Sequence, residues 1–221
     1  MDGRIFNLLV ESFPKMLVPC LKMTIPLTLI SFGCSLVIAL VLALVQVAEI
    51  PGLKQLARLY IWIFRGTPQI VQLYIIFYGL PSIGVMIDAL PASIIALSLN
   101  AGAYNAETLR ASIQAIPKGQ TEAGYLTGLN FLQIMRKIVL PQASRIAFPQ
   151  LFNSLISLVK TSSLASSVTV IEMFSVAKKI AGITFEPFIL YCEAAVIYLM
   201  VCTILTFVQD VCEKRLNIAW S

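Results

Sequence analysis

Asn100, Tyr104 and Glu107 recur at i, i+4 and i+7 within a largely apolar stretch, with Ala111 completing the row at i+11. That spacing places an amide, a phenol and a carboxylate on one face of a helix. Amides and carboxylates are costly in hydrocarbon, so such a face is expected to point into a helix bundle or a wet cavity. There these groups would hold a polar solute by hydrogen bonds rather than break a bond in it. A purely structural reading competes: Glu107 pairs with Arg110 one turn away, and Asn100 bonds a neighbouring helix. Lys160 offers the same choice, between a ligand for a carboxylate and a side chain that snorkels to lipid headgroups. The chain has no histidine, which excludes Ser-His-Asp and Cys-His relays. It has no G-x-x-x-x-G-K-[ST] run to cradle nucleotide phosphates, and its acids are too scattered for a glycosidase-like pair. The expectation is therefore no enzyme active site and no cofactor or metal in this chain. The five cysteines, Cys20, Cys34, Cys192, Cys202 and Cys212, form no C-x-x-C pair and read as small hydrophobes.

The elements that must carry these groups follow from composition. With 58% hydrophobic and 12% charged residues and a mean hydropathy of +0.88, the chain reads as an all-α integral membrane protein of one domain, 1–221. The net charge of +5 does not imply nucleic acid, because the basic residues sit at the ends of apolar runs. A helix needs about 20 apolar residues to cross a bilayer. This predicts spans near 23–48, 90–116, 146–159 and 187–208, and a compromised one at 59–80. The last is broken by Arg65-Gly66-Thr67-Pro68: either the helix is discontinuous there, or 53–64 lies along the surface and only the remainder enters. Irregular backbone at membrane depth requires protein or a water-filled cavity to receive the freed polar groups. Over five spans, the larger basic set (Lys54, Arg58, Arg65, Arg110, Lys118, Arg136, Lys137, Arg145, Lys214, Arg215) falls on one side. That side is expected to be cytoplasmic, with the C-terminus inside and the N-terminus outside. Residues 1–22, interrupted by Asp2, Glu11 and Pro14, do not read as a signal peptide. They are expected to lie on the outer interface before the first span turns in.

The most polar stretch reads Glu122-Ala123-Gly124, then Gly128, then, nine residues on, Ile138-Val139-Leu140-Pro141. Residues 122–126 and 131–139 each suit a short helix, with a sharp turn at Gly128 and Pro141 ending the second. The spacing resembles the E-A-A, G, I-x-L-P docking loop of permeases of ATP-binding cassette (ABC) importers, here within 117–141. Three further blocks are similar to the polar amino-acid branch of that family. They are Arg65-Gly66-Thr67-Pro68 with Gln72-Leu73; Asn100 to Ala111 with Tyr104, Glu107 and Arg110; and Asn153-Ser154 through Lys160 to Ser163-Leu164.

The resemblance implies five transmembrane helices in the type I importer arrangement, with a cytoplasmic coupling loop, in a bacterial plasma (inner) membrane. Its docking residues would be Glu122, Ala123, Gly124, Gly128, Ile138, Leu140 and Pro141. Its substrate path would draw on Thr67, Gln72, Asn100, Tyr104, Glu107, Asn153, Ser154, Lys160, Thr161 and Ser163, with donors from the Thr67, Ser162 and Ser163 hydroxyls. Partners implied are an ATPase subunit carrying ATP and magnesium, a second permease chain, expected to be identical, an extracytoplasmic binding protein, membrane lipid and an amino acid. Family members for cationic amino acids often carry an acid where this chain has Ser154, and many members carry one where it has Thr161. Both departures, with the N-S-x-I-S-L-V-K wording, lean toward cystine or another neutral polar amino acid. A stand-alone secondary transporter or channel, or a nonenzymatic membrane scaffold, is the competing class.

Overall fold

A helix that carries Ser93, Ser98, Asn100, Asn105 and Glu107 through apolar surroundings has to bury most of them. In the computed structural model, which describes residues 3–218, that helix, α5 (Ala89–Gln114), lies at the centre. Every regular element among the described residues is helical. Against α5 runs α2 (Ile25–Val47), which presents Ser31, Ser35, Ala39 and Ala43 four residues apart, all fully buried. Small side chains at this spacing let two backbones approach closely. At Gly102 the approach is limiting, since a Cβ there would lie 2.8 Å from Ile38 Cγ2. Polar bonds cross the same seam: Asn105 Nδ2 donates to Ser35 Oγ at 3.0 Å and Ser98 Oγ to the Ser31 carbonyl at 3.2 Å. Gly102→Leu should therefore force α2 from α5 at a cost of about 1–3 kcal/mol. Thermal unfolding in detergent measures it, and an unchanged midpoint would contradict the close packing.

The first helix departs from the sequence expectation. Helix α1 (Gly3–Pro19) passes through a π-helical turn (Cys20–Thr24) into α2, so Gly3–Val47 is one continuous helix. No turn precedes the first span. The reason is tertiary: Met16 and Cys20, both fully buried, pack against Met173, Ala177, Leu190 and Ile197 of α9 (Met173–Thr184) and α10 (Pro187–Ile218). Ser12 Oγ also donates to Glu193 of α10 at 2.5 Å.

The compromised span is discontinuous. Helix α3 (Leu53–Gly66) ends at Thr67 in extended backbone, and α4 (Gln69–Tyr74) restarts after Pro68, continuing through a π turn (Ile75–Gly79) and a 3-10 turn (Leu80–Ile83). On the far side of α5, α6 (Lys118–Leu126) turns at Gly128 into α7 (Phe131–Ile134). Pro141 does not end this second helix. A π turn (Met135–Val139) leads into α8 (Leu140–Thr161) and a 3-10 turn (Ser162–Val168), so helix runs from Phe131 to Val168. The span expected at 146–159 is the middle of this longer helix.

All three π turns end two residues before a proline: Thr24 before Pro26, Gly79 before Pro81, Val139 before Pro141. In each, the residue preceding the proline donates its N–H five residues back, to Cys20, Ile75 and Met135 respectively. The widened turn accommodates a ring that would otherwise clash with a carbonyl four residues earlier.

The chain then turns into α9, bent 54° from the preceding helix. Glu172, fully buried, caps α9 by accepting from the Phe174 and Ser175 amides at 2.9 and 2.7 Å, and Tyr198 of α10 donates to it at 3.3 Å. Gly3–Val47 and Pro187–Leu216 are long and apolar enough to cross a membrane. The bent pair makes a third if taken as one span. The polar face of α5 and the break before α4 keep those two elements below that threshold of length and hydropathy.

Candidate functional site

The break at Thr67-Pro68 frees backbone carbonyls, and two amides take them up. Gln72 Nε2 lies 3.0 Å from the Phe64 carbonyl, 3.1 Å from that of Thr67 and 2.8 Å from Thr67 Oγ1. Asn100 Nδ2 donates to the Phe64 carbonyl at 3.1 Å and to Gln72 Oε1 at 3.0 Å. Both side chains are buried. Their amides thus hold the broken helix against α5, as backbone at this depth requires.

In front of this clasp opens a cleft of about 450 Å³ between the break, α5 and α8. Six of the expected path residues line it: Thr67, Asn100, Tyr104, Asn153, Ser154 and Thr161. Gln150 and Ser157, not foreseen as site residues, lie among them. Their spacing, three before Asn153 and three after Ser154, is the signal that could have found them. The lining combines amides, hydroxyls and one phenol with the apolar Pro68, Ala101 and Leu158 and carries no formal charge, so its polar part offers both donors and acceptors. Gln72 stands behind the cleft.

Glu107 and Arg65 line an adjoining cleft further along α5, which shares Tyr104, Gln150 and Ser154 with the first. Its carboxylate is engaged by Arg110, which also donates to Gln114 at 2.7 Å. The structural alternative for this pair is thus realised, without removing Glu107 from the cleft wall. Arg65, not foreseen as a site residue, stacks on Tyr104 with its guanidinium 5.3 Å from the ring centroid.

Three expected donors are not delivered. Ser162 Oγ and Ser163 Oγ donate to the Val159 and Lys160 carbonyls of their own helix at 2.7 and 2.8 Å. Lys160 and Ser163 are absent from the cleft lining, and Lys160 is exposed. The Thr67 hydroxyl donates to Ile63 at 2.8 Å while accepting from Gln72. Serines and threonines bond their own preceding turn readily, and the sequence does not reveal which will.

The second candidate element is the turn between α6 and α7. Gly128, at φ +81°, closes α6 with the Leu129 N–H on the Gly124 carbonyl at 3.1 Å and the Gly128 N–H on that of Tyr125 at 3.0 Å. This is the paired helix-ending arrangement that favours glycine. Asn130 and Gln133 exchange side chain and backbone bonds at 2.9 Å to start α7. Gly124 lets the two helices touch, since a Cβ there would lie 2.9 Å from Ile134 Cγ1 and 3.3 Å from Ile138 Cδ1. Gly124 is buried and Ile138 and Leu140 are half-buried, while Glu122, Ala123, Gly128 and Pro141 are exposed. The result is a knob whose surface carries Leu126 at 89% and Leu132 at 73% exposure. Exposed leucines grouped on a projecting turn suit a surface for binding another protein. Neither was foreseen.

Residues 35–218 match the family of binding-protein-dependent transport system inner membrane components. The L-cystine transport system permease protein TcyB of Bacillus subtilis is 42% identical, covering 96% of this chain and 91% of that one. The probable amino-acid ABC transporter permease protein PatM of Vibrio harveyi is 40% identical over 97% of each chain. Among solved structures, a chain of an amino acid ABC transporter determined with histidines superposes with a TM-score of 0.88 at 32% identity, covering 97% of this chain and all of that one. The inward-facing MetNI methionine ABC transporter matches in fold, with a TM-score of 0.73 at 23% identity over 98% of this chain and 99% of that one.

Proposed function

From the premise that this chain belongs to the binding-protein-dependent transport system inner membrane components, we propose that it forms the translocation path for a neutral polar amino acid, cystine foremost. It is a permease subunit and not the catalytic ATPase of its ABC transporter. The observation that carries the substrate reading is the uncharged lining of the cleft at the helix break. A zwitterion with a neutral side chain needs paired donors and acceptors there, whereas a cationic side chain would need a carboxylate. The cystine transport of the relative TcyB supports the same choice.

In this reading two permease chains, identical in the simplest case, face each other in the bacterial inner membrane. Each makes five passes, with the N-terminus outside and the C-terminus inside. Each α6–α7 knob seats on a cytoplasmic ATPase subunit that binds ATP and magnesium, and a binding protein delivers the solute from outside. Closure of the ATPases moves the knobs, and the clefts open alternately to the two sides. Glu107 steadies Arg110 and Arg65 where the solute leaves the uncharged cleft. Glu107→Gln should reduce uptake about fivefold, the equivalent of roughly 1 kcal/mol, with no loss of protein, because a part-exposed ion pair adds little stability. Immunoblotting beside an uptake assay checks both; disappearance of the protein would assign Glu107 a structural role.

The decisive experiment is mild solubilisation of the tagged chain from its native membrane, followed by mass spectrometry. An ATPase subunit near one-to-one is the expected result. A chain that purifies alone and still moves solute would make a secondary carrier the better reading.

A further inference from the structure

At the junction of α2 and α3 lies a third cleft of about 450 Å³, which adjoins the path described above at Arg65 and Glu107. Lys54, Arg58, Arg65 and Arg110 line it against two carboxylates, Glu49 and Glu107. Lys54 is paired with Glu49 at 2.5 Å and Arg110 with Glu107. Four cations less two anions leave an excess of two positive charges, carried by Arg58 and Arg65. Both are exposed on α3.

Gln46 supplies an independent sign of a ligand. Its side chain lines the same cleft and is 9% exposed, and its Nε2 is buried with no hydrogen-bond partner. A buried amide donor without an acceptor is costly, and an oxygen-rich anion in the cleft would satisfy it.

The setting narrows the anion. At 100° per residue, Lys54, Arg58 and Arg65 fall on one narrow stripe of α3. On one side of the stripe are the buried Ala57 and Ile61; on the other is an apolar arc of Leu56, Leu59, Trp62 and Ile63, exposed at 62, 50, 72 and 42%. A basic stripe bordered by exposed tryptophan and leucines is the pattern of a helix at a membrane interface. The cleft also sits where the apolar α2 gives way to Ala48 and Glu49.

The geometry points to a binding site for the phosphate of an anionic phospholipid, held by Arg58, Arg65 and the Gln46 amide, with the acyl chains lying along the apolar arc of α3. Lipid bound here ties α3, and with it the helix break, to the bilayer surface.

Native mass spectrometry of the full chain in detergent, titrated with phosphatidylglycerol or phosphatidylcholine, tests it. Phosphatidylglycerol should be retained and phosphatidylcholine not. Arg58→Ala should weaken phosphatidylglycerol by about fivefold, the size expected for one cation at a lipid surface, and Gln46→Leu by at least as much, for the loss of one hydrogen bond to a charged group. Equal retention of the two lipids by the wild-type chain would overturn the site, whatever the variants do. So would displacement of phosphatidylglycerol by inorganic phosphate, which would make it a free-anion site. Displacement by a neutral amino acid would also overturn it, and would assign the cleft to the transport path instead.

Discussion

A chain carrying Gly128→Trp is expected to reach the membrane in normal amount, to lose its copurifying ATPase subunit and to take up no solute. The geometry separates two causes that a single variant would confound. At φ +81° any L side chain is strained, at about 1–2 kcal/mol. Nothing lies within 4 Å of a Cβ at this position, so a small side chain adds strain and no clash. Gly128→Ala should therefore keep most of the uptake, because the interlocked bonds at Gly124, Tyr125 and Asn130 still hold the knob. The indole does more: it stands on the exposed turn between α6 and α7, where a partner covering Leu126 and Leu132 has to seat. Normal uptake by Gly128→Trp would remove the docking role. Equal loss in both variants would place the effect in backbone strain.

The second large effect is expected at Gln72, a residue that touches the cleft only from behind. Gln72→Leu removes the donor to Phe64, Thr67 and the Thr67 hydroxyl and the acceptor for Asn100. Leaving such groups unsatisfied in a dry interior should cost about 3 kcal/mol. The thermal midpoint in detergent should fall and uptake should be lost with it. Gln72→Glu separates hydrogen bonding from packing, since it keeps the shape but turns a donor into an oxygen aimed at two carbonyls. Wild-type stability in Gln72→Glu would mean that the amide does not hold the break.

Features that a sequence betrays most readily here are those set by backbone chemistry within a few residues. Gly128 and the Thr67-Pro68 break are legible because few conformations suit them, and the stripe from Asn100 to Glu107 because helical spacing is fixed. Pro141 misleads because its effect depends on the turn before it: after a π turn the helix simply continues. Residues 1–22 mislead because apolar residues such as Phe6, Leu9, Phe13 and Leu17 are spaced as the face of an interfacial helix, while the row Ser12, Met16, Cys20 is buried against helices some 150 to 180 residues later in the chain. Helix α9 is short, contains Lys178 and Lys179, and owes its start to Glu172, whose partners Thr24 and Tyr198 no local pattern indicates. In the cleft, residue types were legible and hydrogen-bond assignments were not. Asn100 and Gln72 are spent on the backbone, whereas Gln150 joins the lining because α8 packs beside α5.

The unbroken run from Phe131 to Val168 has a mechanical consequence. The helix that begins in the knob beside Leu132 is the one that presents Asn153, Ser154 and Thr161 to the cleft. At 1.5 Å per residue, Leu132 and Ser154 lie about 33 Å apart along a single shaft. A thrust on the knob needs no hinge to arrive at the cleft wall, and a stroke at one end becomes a stroke at the other with little backlash. The compliant points are the widened turn before Pro141 and Pro149 within α8, which set how much of each power stroke is absorbed before the cleft responds.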